Sequence, residues 1–163
     1  MFGWITHRKR LAVVSSGVAL ATAGSLGGIA LAGSEDPPLP ADPIPAKVLG
    51  SEVPVPIPPT LLRTTNGWVV GDGHNLTAVY AGAGGQDSTV GRFVVVRQDL
   101  DVGEQSVDSV DVGETGAVTI TSAPLGAAVE TSAQTATIAF SSADGSSGTL
   151  DLGNGDTVDL SGR

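Results

Sequence analysis

The chain has no cysteine among its 163 residues. That excludes disulfides, thiolate metal sites, a cysteine nucleophile and lipid attachment through an N-terminal cysteine. Aromatic residues are scarce: Phe2, Trp4, Trp68, Tyr80, Phe93 and Phe140 are the whole set. A core must then be built mainly from Val, Ile, Leu and Ala, and modest stability is expected because each buries less area than an aromatic ring. Histidine occurs only at His7 and His74, so no His cluster with zinc spacing exists. Basic residues number eight against 17 acidic ones. No basic patch with interleaved aromatics and no phosphate-cradling glycine loop is present, which disfavours nucleic-acid and nucleotide functions.

What the chain does have is concentrated near its start. Arg8-Lys9-Arg10 precedes an uncharged run over residues 11–33 that closes in small residues. A basic flank followed by an apolar run is the pattern of an export segment. Two readings stand for residues 1–33. As a cleaved signal peptide, Ala30-Leu31-Ala32 supplies a small-x-small cleavage site, with Ala19-Leu20-Ala21 and Ala21-Thr22-Ala23 as earlier options. As an uncleaved transmembrane helix, the 23 residues suffice for a bilayer core, and the basic flank stays in the cytoplasm. Five glycines and four Ser or Thr make the run weakly hydrophobic for a permanent span. Both readings make the rest of the chain extracytoplasmic, either secreted or anchored at the cell surface. Adjacent arginines are missing, so a twin-arginine signal is not expected.

Every acidic residue lies beyond position 34. After cleavage at Ala32 the product carries five basic and 17 acidic residues, a formal charge of −12. Such a surface repels nucleic acid and anionic lipid headgroups and keeps an exported domain soluble. Arginine outnumbers lysine six to two in an Ala/Gly/Val/Asp-rich vocabulary, a composition in keeping with a bacterial exported protein.

Nine of the ten prolines fall between Pro37 and Pro59. Proline fixes φ and removes a backbone donor, so neither helix nor central strand is available there. Residues 34–65 are therefore expected as an extended, partly polyproline II linker, with residues 37–59 reaching roughly 70 Å at full stretch. Val53, Val55 and Ile57 alternate with prolines, and an edge strand lying on the domain is the alternative.

Residues 66–163 show a period of two. Phe93, Val95 and Arg97 fall on one face and Arg92, Val94, Val96 and Gln98 on the other, so Val94-Val95-Val96 predicts a central strand apolar on both faces. Leu76, Ala78 and Tyr80 alternate with Thr77 and Val79, and Val107, Val110 and Val112 lie in a more acidic strand. Val118 with Ile120, then Val129, Ile138 with Phe140, Leu150 with Leu152 and Val158 with Leu160 complete the series. Gly, Asp-Gly and Asn-Gly breakers separate them. The expectation is an all-β domain, a small β-sandwich or barrel of about seven or eight short strands. Asn154-Gly155 predicts a tight hairpin, and the Thr/Ser density of 123–139 favours strands over a helix. The stretches GRFVVVRQ (91–98), GAVTITSAPLGAAVE (116–130) and GTLDL (148–152) resemble small uncharacterised exported proteins of high-GC Gram-positive bacteria. That resemblance carries no assigned chemistry and no functional residue.

Several groups can be read for chemistry. His74, in Gly71-Asp72-Gly73-His74-Asn75, is the one histidine beyond the leader. A hydrolase would need it oriented by an acid and aimed at a nucleophile, yet no G-x-S-x-G context appears. No carboxylate pair stands out for glycoside chemistry. Calcium needs several oxygens on a glycine-loosened loop. The acids Asp99, Asp101, Glu104, Asp108, Asp111 and Glu114 offer one such region, and Gly153-Asn154-Gly155-Asp156 offers another. Asp99, Asp101, Glu104 and Asp156 are the metal candidates, against turn and edge-strand charge as the plainer account. Asn75-Leu76-Thr77 matches an N-glycosylation pattern. Arg92 and Arg97 either pair internally with carboxylates or hold an anion. The sequence thus points to a non-catalytic binding or structural module at the envelope, with no catalytic residue and no cofactor assigned. Its partner would be an envelope protein or glycan, and the membrane too if residues 11–33 stay uncleaved. The alternatives are a small secreted hydrolase using His74 and a calcium-dependent adhesion or wall-binding module.

Overall fold

The strand-forming runs pair in the order in which they occur along the chain. The computed structural model describes residues 42–127 and 135–162, together with the backbone of Lys9–Arg10. The long strands are β1 (Ile44–Leu49), β2 (Leu62–Gly71), β3 (Asn75–Gly84), β4 (Gly91–Asp99) and β5 (Gln105–Gly113). They form one antiparallel meander in that spatial order. The second meander holds β6 (Val118–Ser122), β7 (Thr137–Ser142), β8 (Ser147–Asp151) and β9 (Thr157–Gly162), again in chain order. Lys9–Arg10 runs antiparallel beside β5, opposite Ser109 and Asp108. The leader run 11–33 and Val129 lie outside the described residues. Among those residues no helix is long and apolar enough to cross a membrane.

The all-β expectation holds as two antiparallel sheets packed face to face, with nine strands in the described residues. Alternation decides what each face buries. Val79, Ala81, Phe93, Val95 and Val110 of the first sheet meet Val118, Ile120, Ile138, Phe140 and Leu150 of the second. Phe93 and Phe140 join the layers edge to face, with ring centroids 5.1 Å apart at 74°. Few as the aromatics are, the described ones are all buried, with Trp68, Phe93 and Phe140 in the centre of this core. Phe140 needs Gly148 opposite it: a Cβ there would lie 2.9 Å from the ring and collide with the carbonyl of Asp159.

Val94, Val96, Leu76, Ala78 and Tyr80 face outward yet are buried. Their cover comes from the segment expected as spacer. Ile44–Leu49 pairs with β2 as an edge strand, and Val55, Ile57 and Leu61 pack on the same apolar face. Strand pairing therefore begins before residue 66, with Ile44–Leu49 on β2 and β2 itself starting at Leu62. Proline tolerates an edge strand and a covering layer because neither needs every backbone donor. Pro45 sits where the β1–β2 register shifts, between Ile44 and Lys47. The cover is held at its end by the Leu61 carbonyl, which accepts from the Gly85 amide at 3.1 Å and from Arg92 Nη1 at 3.2 Å.

The β8–β9 hairpin forms where Asn154-Gly155 predicts one, but the turn is longer than two residues. Thr157 pairs with Asp151, leaving Leu152–Asp156 as the loop. Positive φ falls on Gly155 (67°) and Asp156 (59°), one residue later than an Asn-Gly turn places it.

Candidate functional site

Strand length separates the two sheets. β3, β4 and β5 have nine or ten residues, whereas β6 to β9 have five or six. Four further residues extend a strand by about 13 Å. The inward row of the long sheet changes character along that extension. Beyond Val79 and Val95 come the cross-strand partners Thr77 and Arg97, then Asn75 and Asp99. From β5, Ser106 lies opposite Arg97 and Asp108 opposite Val95. The sandwich therefore ends in a polar shelf at the turns β2–β3 and β4–β5.

Arg97 closes the inner side of this shelf. Its Nη1 donates to Asp156 Oδ2 at 3.0 Å and its Nη2 to Asp156 Oδ1. Asp108 Oδ2 lies 3.5 Å from Nη1. The Asp156 side chain is only 11% exposed, and its left-handed backbone turns the carboxylate back onto the long sheet. Two carboxylates thus neutralise one guanidinium. Arg92, on the outer face, is taken up by Asp111 at 2.6 Å and by the Leu61 carbonyl. Both arginines pair internally.

Two turns border the shelf. Asp72 Oδ1 accepts from the amides of His74 at 2.8 Å and Asn75 at 2.6 Å. Burial pushes the Asp72 carboxyl up, but these bonds outweigh it and hold it below the ordinary carboxylate value, so it stays ionised at neutral pH. Asp99 Oδ1 accepts from the amides of Asp101 at 3.0 Å and Val102 at 3.2 Å. The turns are joined by the Leu100 amide on the His74 carbonyl at 2.7 Å, and His74 Nδ1 lies 2.9 and 3.1 Å from the Asp101 carboxylate oxygens. His74 and Asp101 have more than half of their side-chain surface in water.

A cavity of about 290 Å³ opens between these turns and the strand ends, with Thr77, Gln98, Asp99, Glu104 and Gln105 among its walls. Thr77 is 4% exposed and lines this space. Its Cβ-branched chain fits a strand, and the register with Arg97 keeps it on the inner face.

The metal candidates are distributed rather than gathered. Asp99 and Glu104 line the cavity, Asp101 faces His74, and Asp156 is held by Arg97. Among the described residues no group of three or more His, Asp or Glu is placed to hold a metal ion. Of the other acids, Asp108 and Asp111 serve the two arginines and Glu114 is exposed. In the sequon, Asn75 is exposed at the start of β3, whereas Leu76 and Thr77 are buried. Sequence reasoning missed Thr77, Gln98 and Gln105. The signal for Thr77 was its place on the same strand face as Val79 and Ala81. Comparison of the chain with protein-family models, with curated proteins and with solved structures gives no match.

Proposed function

We propose that this chain is an exported or membrane-tethered β-sandwich acting as a non-catalytic binding module at the bacterial envelope. Its polar shelf is the ligand-facing end. The observation that carries the reading is the cavity of about 290 Å³ at the strand ends, with Thr77, Asp99 and Glu104 among its walls. Polar groups converging on a pocket give orientation and specificity to a bound molecule. The basic flank and apolar run of residues 8–33 support export. In an exported chain the flank stays on the cytoplasmic side, so the contact of Lys9–Arg10 with β5 is broken on translocation.

Protease added to intact cells should degrade the C-terminal domain, or the domain should be recovered from the medium. Intact chain found only in cytosol overturns the export half of the proposal. Isolated envelope material should retain the wild-type protein, and a Glu104→Gln/Gln105→Ala double variant should be retained less. Equal retention of the two removes the shelf as the binding end.

A second reading, a small hydrolase using His74, is favoured by the His74–Asp101 pair, because an acid that orients an imidazole is two parts of a three-part device. The exposure of both groups weakens it, since water screens the pair. Esterase and peptidase assays on wild type and His74→Ala test it: activity that disappears in the variant supports hydrolysis, and equal rates reject it.

A further inference from the structure

We infer that the outer edge of β5 is a strand-docking site, taking an extended basic segment of a partner protein as one further strand of the long sheet; this rests on the export half of the reading above. The two sides of the sandwich differ. On one side the edge strand β6 is closed by Asn66 and Thr65, and β1 is bridged to Gly126 through Ala46. On the other side lie β5 and β9, near one another. β9 carries a register break between Leu160 and Gly162, a bulge of the kind that blunts an edge. β5 has no such device from Gln105 to Asp111. It pairs with β4 without a break there, and no proline, lysine or arginine stands in it. A regular edge of this kind is a template for another strand.

A strand is already seated on it. Lys9 and Arg10 pair antiparallel with Ser109 and Asp108, within the unblunted stretch. Such pairing at a sheet edge draws affinity from main-chain hydrogen bonds, and the side chains set the preference. In an exported chain the basic flank is withdrawn to the cytoplasmic side, and the edge is vacated. Charge selects the next occupant. β5 carries Asp108 and Asp111, and the exposed Glu104 and Glu114 flank it. Arg97 and Arg92 offset Asp108 and Asp111, so the acids at the two ends set the local sign. Two copies joined β5 to β5 would place like charges side by side, which is unfavourable. A strand bearing Lys or Arg meets the opposite field, and Lys9 and Arg10 are of that type.

The test uses the full-length chain in nonionic detergent. Lys9→Pro/Arg10→Pro removes both amide donors of the flank. The β5 amides around Asp108 and Ser109 should then exchange with solvent about tenfold faster. The probe is the peptide Thr-His-Arg-Lys-Arg-Leu-Ala-Val, the sequence of residues 6–13. Added to the proline variant, it should bind saturably by fluorescence anisotropy and restore the lost protection. A counterpart with Glu at its three basic positions should bind at least about tenfold more weakly. Successive amides of a strand point to opposite edges. Peptides N-methylated on one alternate set of amides or the other carry equal charge, yet only one of the two should bind. Ser109→Lys places a cation opposite the position of Lys9 and should weaken the basic peptide about threefold. Thermal melts of each variant check that the fold is kept.

Unchanged β5 exchange in the proline variant overturns the inference, because the edge would then hold no strand. So does absence of peptide binding, or equal binding of the two N-methylated peptides, which would reduce the effect to net charge. Dimerisation of the proline variant in sedimentation assigns the edge to a second copy and overturns the basic partner. Peptide binding by a chain found only in cytosol supports the edge and rejects export. Export without peptide binding rejects the edge and leaves the module reading standing.

Discussion

Where β2 faces β6, the two sheets are joined by neutral groups. The Asn66 side chain stands in for a strand residue: its Nδ2 donates to the Ile120 carbonyl at 2.9 Å and its Oδ1 accepts from the Ile120 amide at 2.9 Å. Thr65 sits at the bulge between Thr64 and Asn66, and its hydroxyl lies 2.5 Å from the Val118 carbonyl. Trp68 Nε1 donates to the Pro124 carbonyl at 2.8 Å. Where β4 and β5 face the β8–β9 turn, the join is made by charge, through Arg97 with Asp156 and Asp108. The first flank closes the open edge of β6 with side chains, which protects against pairing with another chain. The second leaves solvent and a cavity beside its charges. The difference places neutral, interlocked joints on one flank and paired charges beside a cavity on the other.

That contrast breaks first at Trp68. Trp68→Ala removes a side chain with no exposed surface and should cost about 3–5 kcal/mol in urea denaturation. A loss below about 1 kcal/mol would mean that the neutral flank is not where stability resides. Asn66→Ala should come next, at about 2–3 kcal/mol, because it strands both polar groups of Ile120 in a part-buried place. Asn66→Asp should fall between, since an acceptor for the Ile120 amide is kept and the donor to its carbonyl is lost. Chemical denaturation with an unchanged slope is the check on both.

Period-two alternation made the strands legible, because one side chain in two enters the core at β3, β4, β6 and β7. The double-faced run Val94–Val96 correctly announced a strand buried on both sides. What covers the outer face was not legible: Val55 and Ile57 stand among prolines, and proline suppresses the pairing signal without preventing apolar side chains from packing. The shelf was half legible. Asp99 and Glu104 stood out as acids, but which acids are spent on arginines depends on register. Asp156 is brought to Arg97 across 59 residues of chain, a separation that no local pattern encodes. Thr77 was not legible as a wall of the cavity because a threonine in a strand is ordinary until register sets it opposite Arg97 at the strand end.

On the charged flank the effects should be smaller. Arg97→Met keeps the stem and removes the guanidinium, leaving Asp156 unmatched at 11% exposure. A pair whose arginine is about a third exposed is partly screened, so about 1 kcal/mol is expected. The difference from wild type should shrink as salt is raised, whereas the Asn66→Ala deficit should not. Equal salt sensitivity of the two variants would erase the distinction between the flanks.

The smallest effect concerns the outer face, where a covering layer rather than a second sheet excludes water. Tyr80 is the only tyrosine of the chain and is 3% exposed there. Burial pushes its phenol above the ordinary value, because a phenolate under the cover would lose hydration. The folded form holds the proton more tightly than the unfolded one. The stabilising term is therefore fully present below the ordinary tyrosine value of about 10 and is lost as pH rises through the folded value. Ultraviolet titration should show a single phenol ionising later in the native protein than in urea. Deleting the cover by Val55→Asp/Ile57→Asp should bring the native titration back toward the unfolded one, while the Arg97→Met variant should leave it in place. A native phenol that ionises at the unfolded value in the wild type would mean that residues 44–61 do not shield this face in solution, and that the long sheet is covered on one side only.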